Sequence, residues 1–340
     1  MLKIGDREVN NKELTAGILF VLVALTLLWV MFPPFKPAPT VLQIGTVDPI
    51  LMQGGQPGSK AGQFSYPRGV AVDSHGDIYV ADSRNHRIQK IDGKTGKYLL
   101  EFGGLFKVDG GDRKKVEGTA PGKMQEPNDV TIGPDDMVYV MDTWNSRIQV
   151  FSPKGKNKKV FTTDDGFFAP RGIVVDPNGF VYVADTGKHR IVKFDPKGNK
   201  IRAWGSKGEK EGEFNEPIGV ALDQAGNLYV ADRLNFRIQV FNSDGQYVKE
   251  WPIKGWAKDQ IDMEPHLALD KVNSVLYVSD GRGKKVYAYH LDGTLFSTLE
   301  NDSQNRPLFA VPIGVAVDKD GNLYVVDASM ARILKIKGQH

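Results

Sequence analysis

Hydrophobic and polar residues alternate over most of the chain, in short runs that are rich in Val, Ile, Tyr and Phe. One unit of this pattern reads PRGVAVDSHGDIYVADSRNHRIQKI, and its three runs are separated by an Asp-x-x-Gly-type turn and by a polar stretch. Alternation with a period of two, interrupted by turn residues, predicts three antiparallel strands joined by hairpins. The unit occurs six times, beginning at Pro67, Pro127, Pro170, Pro217, Pro265 and Pro312.

A fourth run follows most units, for example at residues 98–102, and successive starting prolines lie 43 to 60 residues apart. Four antiparallel strands in this length are typical of a β-propeller blade, whereas a linear β-solenoid has shorter repeats and parallel strands. The sequence therefore predicts an all-β fold, a six-bladed β-propeller with four-stranded antiparallel blades. The sixth unit lacks a fourth run, and residues 41–45 resemble the missing one. We expect this N-terminal strand to close the last blade.

The chain before the repeats follows a different pattern. Residues 14–32 read LTAGILFVLVALTLLWVMF and carry no charge. This run predicts a single transmembrane helix about 28 Å long, because a signal peptide has a shorter apolar core and no helical bundle follows that would bury the run. Lys3, Arg7 and Lys12 precede the run. The positive-inside rule therefore places the N-terminus in the cytoplasm.

The predicted organisation has four parts. They are a cytoplasmic tail at residues 1–13, the transmembrane helix at 14–32, a proline-rich stalk at 33–40 and the propeller at 41–340. Prolines at the density of the stalk favour a semi-rigid extended spacer. The protein is thus expected in the inner (cytoplasmic) membrane as a single-pass protein, with the propeller on the periplasmic or extracellular side.

The amino-acid composition excludes several kinds of site and catalytic chemistry. The chain has no cysteine, which excludes disulfides, thiol catalysis, thiolate zinc sites and iron–sulfur clusters. The 44 Lys and Arg residues are balanced by 41 Asp and Glu residues, too evenly for a dedicated nucleic-acid-binding protein. The sequence also lacks a Gly-x-Ser-x-Gly elbow, a phosphate-binding loop and a His-Glu-x-x-His motif. We expect no cofactor and no nucleic-acid partner.

The repeated segments Pro-x-Gly-Val-Ala-Val-Asp, Gly-x-Leu-Tyr-Val-Ala-Asp and Asn-His-Arg-Ile-Gln resemble the NHL repeat family of propellers, over residues 62–340. The resemblance implies the propeller fold, in a family of amidating lyases, RNA-binding regulators, sensor domains of membrane kinases and interaction modules. In the amidating lyases, zinc is held by histidines from several blades near the central channel. Only His266 would match here, so we expect neither a metal site nor an enzyme.

Polar residues that recur in every unit are expected to be structural. An Asp ends each second run and precedes an Arg or Lys by five residues, a spacing suited to charge-assisted hydrogen bonds that hold a turn. Residues that differ between units are better candidates for a ligand site. Those near the starting prolines, where the first strands enter the channel, are Arg68, Asn128, Asp129, Arg171 and His266.

The favoured interpretation of function is a non-catalytic interaction or scaffold subunit of an integral membrane protein complex, such as a respiratory or photosynthetic complex. A small-molecule ligand is then not expected. The alternative is an extracytoplasmic ligand sensor or an amidating-lyase-like enzyme that uses the channel mouth. Apolar or bulky residues in the turns between second and third strands form a candidate partner interface: Arg84, Trp144, Leu234, Phe236 and Met330.

A group of basic residues lies in the turns between third and fourth strands of the first three blades. Because outer strands begin at this side of a blade, the stalk would join the same face, and the lysines would face anionic lipid or an acidic subunit. This basic sector consists of Lys94, Lys97, Lys154, Lys156, Lys158, Lys159, Lys197 and Lys200.

Overall fold

The computed structural model describes residues 2–4, 7–9, 50–104, 106–109, 112–115, 118–256 and 264–338. The chain divides into two units, Met1–Val41 and Leu42–His340. In the first unit, the strands Leu2–Ile4 and Arg7–Val9 form an antiparallel pair. The predicted transmembrane helix and the stalk lie outside the described residues. Within the described ranges, no helix is both long and apolar enough to cross a membrane.

The second unit contains six four-stranded antiparallel sheets, which are the six predicted blades. Blades 1 and 2 consist of Pro67–Val72, Ile78–Asp82, Arg87–Ile91 and Tyr98–Gly103, and of Asp129–Ile132, Val138–Asp142, Arg147–Phe151 and Asn157–Phe161. Blades 3 and 4 consist of Ile173–Val175, Val181–Asp185, Arg190–Phe194 and Lys200–Trp204, and of Pro217–Leu222, Leu228–Asp232, Arg237–Phe241 and Tyr247–Pro252. Blades 5 and 6 consist of Leu267–Asp270, Val275–Asp280, Lys285–His290 and Leu295–Leu299, and of Pro312–Val317, Leu323–Asp327, Arg332–Ile336 and Ile50–Gly54.

Shorter elements connect the strands. A hairpin of Phe106–Asp109 and Asp112–Lys115 lies between blades 1 and 2, where the starting prolines have their widest spacing, 60 residues. Five 3₁₀ helices occupy turns in the described part of the chain: Ser83–Asn85, Pro134–Asp136, Thr143–Asn145, Thr186–Lys188 and Arg233–Asn235.

The blades form a closed ring around the first strands. Each first strand contacts the first strand of the next blade, and that of blade 6 contacts that of blade 1. The second strands are buried along their whole length, as in Ile78–Asp82, whereas the fourth strands of blades 1 and 3 are half-buried to exposed. Apolar side chains interlock between neighbouring blades; Ile78 and Val80 of blade 1, for example, pack with Tyr324 and Val326 of blade 6.

An N-terminal strand closes the ring, but the predicted segment was wrong. Ile50–Gly54 is the fourth strand of blade 6, and Gly54 lies opposite Ile333 in the antiparallel register; residues 41–45 lie outside the described residues. The position of the closing strand is set by its distance along the chain from Phe64, the next buried aromatic residue. Phe64 packs under Gly55 as Phe214 packs under Gly205, and the same offset of 150 residues aligns Ile50–Gly54 with Lys200–Trp204.

Strand direction gives the ring two distinct faces. First strands start, and second strands end, at the face that we call the top, since Pro67 lies opposite Asp82. Turns between third and fourth strands lie at the opposite face, the bottom, and Ile50 also lies there because fourth strands run from bottom to top. The predicted sites therefore divide cleanly, with the channel-mouth residues at the top and the basic sector at the bottom.

A buried aspartate fixes the top turn of most blades, as the sequence predicts. In blade 4, Asp232 accepts hydrogen bonds from Asn215 N, Asn235 Nδ2, Arg237 Nε and Gln239 Nε2 at 2.7 to 3.0 Å. The carboxylate thus joins the incoming loop, the turn and the third strand. Equivalent networks surround Asp82 and Asp142. Blade 5 departs from the pattern, because Asp280 accepts from Tyr287 and Lys285 pairs with Glu300.

Candidate functional site: the channel mouth

The top entrance of the channel is lined by the residue that follows each starting proline. In blades 4 and 6 this residue is a buried isoleucine, Ile218 or Ile313. In the other four blades it is polar, and these side chains were the ones selected from the sequence: Arg68, Asn128, Arg171 and His266. Asp129 occupies the next position, where blades 1, 3, 4 and 6 have glycine.

Asp129 and His266 meet across the channel. They belong to blades 2 and 5, three steps apart in a ring of six, yet Asp129 Oδ1 lies 3.7 Å from His266 Nδ1. The other oxygen, Oδ2, accepts a hydrogen bond of 3.0 Å from Ile173 N of blade 3, and Val130 N donates to Oδ1 at 2.9 Å. The carboxylate is therefore fixed in orientation by backbone donors before it meets the imidazole.

Burial sets the protonation of this pair. His266 is 4% exposed, and burial lowers its pKa, although the charge of Asp129 acts in the opposite direction. Burial also raises the pKa of Asp129, against the effect of His266 and of the backbone donors. The imidazole is therefore neutral at neutral pH. Its Nε2 atom is buried and has no hydrogen-bond partner, so it is free to accept a proton.

Two arginines share one carboxylate beside this pair. Arg171 Nη1 donates to Glu264 Oε1 at 2.7 Å, and Arg68 Nε lies 3.4 Å from Glu264 Oε2. Arg68 also lies over the ring of Tyr66, with 5.4 Å between guanidinium carbon and ring centroid. Both arginines and Glu264 act electrostatically on His266. Glu264 stands two residues before His266 in the chain, so the ion-pair cluster and the Asp–His pair lie at the same channel mouth.

Asn128 adds an unpartnered amide to the site. Its side chain is fully buried, and neither the oxygen nor the nitrogen of the amide has a hydrogen-bond partner. Its backbone is fixed, because Asn128 N donates to Met141 O and its carbonyl accepts from Gly69 N. A buried amide without partners is costly in a folded protein. The unpaired amide makes Asn128 a candidate for binding a polar group of a ligand.

The channel below these residues is narrow. A cavity of about 180 Å³ is lined by Asp129 and His266 and by the first strands of all the blades, including Val70, Ile173 and Val315. Lys271, which follows the first strand of blade 5 at the bottom face, also lines it. The titratable side chains that line this cavity are therefore Asp129 and His266 at the top and Lys271 at the bottom.

Sequence reasoning found five members of the site and missed two. Glu264 and Tyr66 each stand immediately before a starting proline, a position that was not considered because it belongs to the variable loops between blades. A pattern in the sequence could have indicated this position, since a glutamate recurs there in three units, as Glu126, Glu216 and Glu264. The structure shows which of them matters here: Glu264 joins the arginines, whereas Glu216 pairs with Arg233.

The zinc site implied by the resemblance to amidating lyases does not fit these residues. Within the described ranges, no three side chains of the His, Cys, Asp or Glu type are grouped as metal ligands. Asp129 and His266 come together, but Glu264, another carboxylate at the channel mouth, is engaged by two arginines. We therefore derive no chemical step through a metal ion.

The candidate partner interface is dispersed over the top face. Trp144 is 64% exposed and its Nε1 donates to Glu126 Oε2 at 3.1 Å, and Met330 is 48% exposed. Arg84 lies over the Tyr66 ring. Leu234 and Phe236 are half-buried, and Phe236 packs against the core between blades 4 and 5. These residues belong to blades 1, 2, 4 and 6, so a partner interface at them stays a prediction.

The basic sector lies in exposed bottom turns and on outer strands. Two of its lysines are engaged within the chain, since Lys159 Nζ donates to Pro196 O at 2.9 Å and Lys200 Nζ lies 3.4 Å from Asp165 Oδ1. The other lysines of the sector are exposed: Lys94, Lys97, Lys154, Lys156, Lys158 and Lys197.

Comparison with known proteins agrees with the repeats and adds a second family. A family model described as SMP-30/Gluconolactonase/LRE-like region, abbreviated SGL, matches residues 69–211, and the NHL repeat model matches residues 214–241 and 309–336. The "Probable peptidyl-alpha-hydroxyglycine alpha-amidating lyase pgal-1" of Caenorhabditis elegans is 34% identical over 96 residues, which are 28% of this chain and 25% of the lyase.

Solved structures share the fold at low sequence identity. A gluconolactonase from Xanthomonas campestris superposes with a TM-score of 0.59 at 13% identity, over 89% of this chain and 99% of that one. Virginiamycin B lyase from Staphylococcus aureus superposes with a TM-score of 0.55 at 15% identity, over 84% and 98%. At these identities the likeness establishes the propeller fold alone.

These matches correct the expectation about catalysis. The prediction that the chain is not an enzyme is wrong, because the SGL match and the amidating-lyase relative point to enzymatic propellers. They also give no support to a non-catalytic scaffold. That expectation rested on the lack of a histidine-rich zinc site in the sequence.

Proposed function

Since the family matches and the six blades support an NHL/SGL propeller family for this chain, we propose that it is an enzyme of the lyase or lactonase type. Its catalytic centre is the channel mouth, and His266 is the general base. The observation that carries this proposal is the buried, unpartnered Nε2 of His266, on a neutral imidazole whose Nδ1 faces Asp129.

The geometry suits a proton-transfer reaction. Nε2 of His266 accepts a proton from the substrate, and the imidazolium that forms is stabilised by the carboxylate of Asp129. Val130 N and Ile173 N hold that carboxylate in place, so no reorganisation is needed as the charge develops. Asn128 offers a donor and an acceptor to a polar group of the substrate. Arg68 and Arg171 supply positive charge on the same side of the channel.

The favoured reaction is an elimination. The base removes a proton from the substrate, the electron pair forms a new double bond, and the neighbouring bond breaks with departure of the leaving group. A base that is 4% exposed is poorly placed to activate a bulk water molecule, which favours elimination over hydrolysis. Hydrolysis of a lactone is the second candidate, because the SGL match spans Asn128, Asp129 and Arg171.

The test is turnover by the purified full chain with a peptidyl-α-hydroxyglycine and with gluconolactone, the substrates named in the relatives. We expect turnover of at least one, and a loss of about 10²–10⁴-fold in kcat for His266→Gln. His290→Gln is the matched control, since His290 lies in the same blade but at an exposed position stacked on Phe296. Mass spectrometry of the peptide product separates elimination, which releases a peptide amide, from hydrolysis, which releases a peptide acid.

Loss of turnover in both histidine variants, or in neither, argues against His266 as the base. Circular dichroism and melting temperature establish that each variant is folded. Absence of turnover of both substrates, and of every compound in a broader panel of lactones and esters, contradicts the proposed function.

We also keep the predicted location as part of the proposal. The uncharged run at residues 14–32 and the basic residues before it support a membrane-anchored enzyme whose propeller works outside the cytoplasm. Association with subunits of an integral membrane complex is compatible with catalysis and stays a prediction. Reporter fusions placed before residue 14 and after residue 340 test the topology; active cytoplasmic reporters at both ends contradict it.

A further inference from the structure

The charges at the channel mouth point to a ligand class. Arg68 and Arg171 come from blades 1 and 3, with side chains 19% and 26% exposed, and both face the carboxylate of Glu264 from blade 5. Two converging guanidinium groups are typical of a carboxylate-binding site, since each presents a planar fork of N–H donors. In this structure a side chain of the protein itself takes the place of such a ligand.

Glu264 fits the arginine pair incompletely. Its bond to Arg171 Nη1 is short, at 2.7 Å, but Arg68 Nε lies 3.4 Å from Oε2 and both of these atoms are buried without a hydrogen-bond partner. One half of the bridge is therefore an ion pair without a hydrogen bond. A free carboxylate is not tethered to the backbone, so it can orient toward both guanidinium groups and satisfy the atoms that Glu264 leaves unpaired.

We propose that Arg68 and Arg171 bind the carboxylate of a small carboxylic acid, which displaces Glu264 from this position. The inference deepens the proposed function and rests on it for the reaction that follows binding. Pairing with two arginines neutralises the carboxylate, which makes a C–H bond next to it easier to deprotonate. His266 follows Glu264 by two residues at the same channel mouth, so its Nε2 is available to take that proton.

Glu264 then acts as a resident competitor. It keeps the charge of the two arginines balanced in the ligand-free protein, and it must be displaced before a substrate carboxylate binds. Removing its charge leaves the arginines in place while removing the competition. The affinity for a carboxylate should therefore rise in Glu264→Gln, which is the opposite of what a purely structural ion pair predicts.

The experiment measures binding of ¹³C-labelled acetate by NMR titration of the full chain in detergent, at constant ionic strength. Acetamide serves as the neutral isostere, and sulfate tests whether any oxyanion suffices. We expect acetate to bind Glu264→Gln about tenfold more tightly than the wild type, and acetamide to bind neither. In the Glu264→Gln background, Arg68→Gln or Arg171→Gln should weaken acetate binding by about tenfold or more.

Arg84→Gln in the same background is the matched control. Arg84 lies over the same Tyr66 ring as Arg68, 4.6 Å from its centroid, but it belongs to no ion pair with Glu264. Acetate binding that is lost equally in all three arginine variants reflects general charge and overturns the proposal. So does an affinity unchanged by Glu264→Gln, or sulfate binding as tight as that of acetate. Arg68→Lys keeps the positive charge. Acetate binding that is retained in this variant shows that a substitution at position 68 does not by itself abolish binding through misfolding.

The outcome is independent of turnover. His266→Gln should bind acetate as the wild type does, even where it abolishes catalysis. Acetate binding without turnover of any substrate contradicts the proposed enzyme and leaves the carboxylate site standing. Turnover without acetate binding in Glu264→Gln contradicts the carboxylate site alone.

Discussion

Asp129 Oδ1 lies 3.7 Å from His266 Nδ1, although the two residues belong to blades on opposite sides of the ring. The contact is made possible by the narrowness of the channel and by the carboxylate that stands where four other blades have glycine. The contact gives the imidazole a fixed partner on its Nδ1 side, while burial keeps the ring neutral by lowering its pKa.

The pH dependence of catalysis should report this pair. Burial lowers the pKa of His266, so the acid limb of kcat/KM should have its midpoint below about 6.5, the ordinary value for histidine. Protonation of Nε2 removes the base, so activity falls as the pH decreases through this midpoint. In Asp129→Asn the charge that opposes the shift is lost, and the midpoint should move further down. A midpoint above 6.5, or one unchanged by the substitution, contradicts the assignment.

Asp129→Gly should separate catalysis from folding. Glycine is the residue at this position in blades 1, 3, 4 and 6, so the ring should accept it with a melting temperature within a few degrees of the wild type. Turnover should fall by about 10²-fold or more, because the imidazolium loses its counter-charge. An active Asp129→Gly variant would show that the carboxylate has no role in catalysis.

Gly69→Ala adds a methyl group next to Asp129, whereas Asp129→Gly removes the side chain. A Cβ at Gly69 would lie 2.6 Å from the Cα and 2.4 Å from Oδ1 of Asp129, so blades 1 and 2 would have to move apart at the channel. We expect a loss of roughly 1–3 kcal/mol in the free energy of unfolding, measured by urea denaturation, and impaired catalysis. Gly281→Ala is the control, since a Cβ there would come no closer than 3.2 Å to a neighbouring atom and the backbone at Gly281 does not have a left-handed φ. Equal stability of Gly69→Ala and the wild type would contradict the close approach.

The closing strand makes a sharp truncation boundary. A chain that begins at residue 46 keeps Ile50–Gly54 and should give a folded propeller with one cooperative melting transition. A chain that begins at residue 56 exposes the edge of Arg332–Ile336 and should melt at a lower temperature and aggregate. If residues 41–45 closed the ring instead, the chain that begins at residue 46 would also melt at a lower temperature and aggregate. The melting curves of the two chains therefore decide which strand closes the ring.

The buried aspartates should dominate stability rather than activity. Asp232→Ala removes the acceptor of four hydrogen bonds and leaves the guanidinium of Arg237 without its buried partner. We expect a loss of about 3 kcal/mol, seen as a melting temperature lower by roughly 5–10 °C. Asp244→Ala, in an exposed bottom turn, is the control and should change little. A normal melting temperature in Asp232→Ala would show that the network is not needed for folding.

Salt-sensitive binding to anionic lipid tests the basic sector. Replacing Lys154, Lys156, Lys158 and Lys159 with Gln in the chain that begins at residue 46 should weaken its co-sedimentation with phosphatidylserine vesicles. Each well-placed lysine contributes on the order of 1 kcal/mol, screened beyond about 8–10 Å. The charge-matched control replaces four exposed top-face lysines: Lys60, Lys207, Lys210 and Lys284. Equal loss in both sets, or in neither, argues against a lipid-facing bottom.

The fold was accessible from the sequence because its determinants are local. Alternation within each run and the turn residues between runs fix three strands in every unit, and six similar units can only bury their faces against one another. Closure by an N-terminal strand also followed, since the last unit lacks its fourth strand. The position of this closing strand was predicted wrongly because residues 41–45 resemble the fourth strands of other blades. The spacing to Phe64 gives the right position, since Phe64 has to pack under Gly55 at the end of the strand.

The sequence by itself therefore determined the blades, their number, the structural aspartates and the set of unusual residues at the channel mouth. Only the tertiary structure decided how those residues combine. Asp129 and His266 are 137 residues apart in the chain, and Arg68 meets Glu264 through the closure of the ring. Periodicity carries information about neighbours a few residues apart, whereas these contacts depend on the channel width and on which blades face each other. A burial-shifted pKa likewise exists only once the ring has closed around the imidazole.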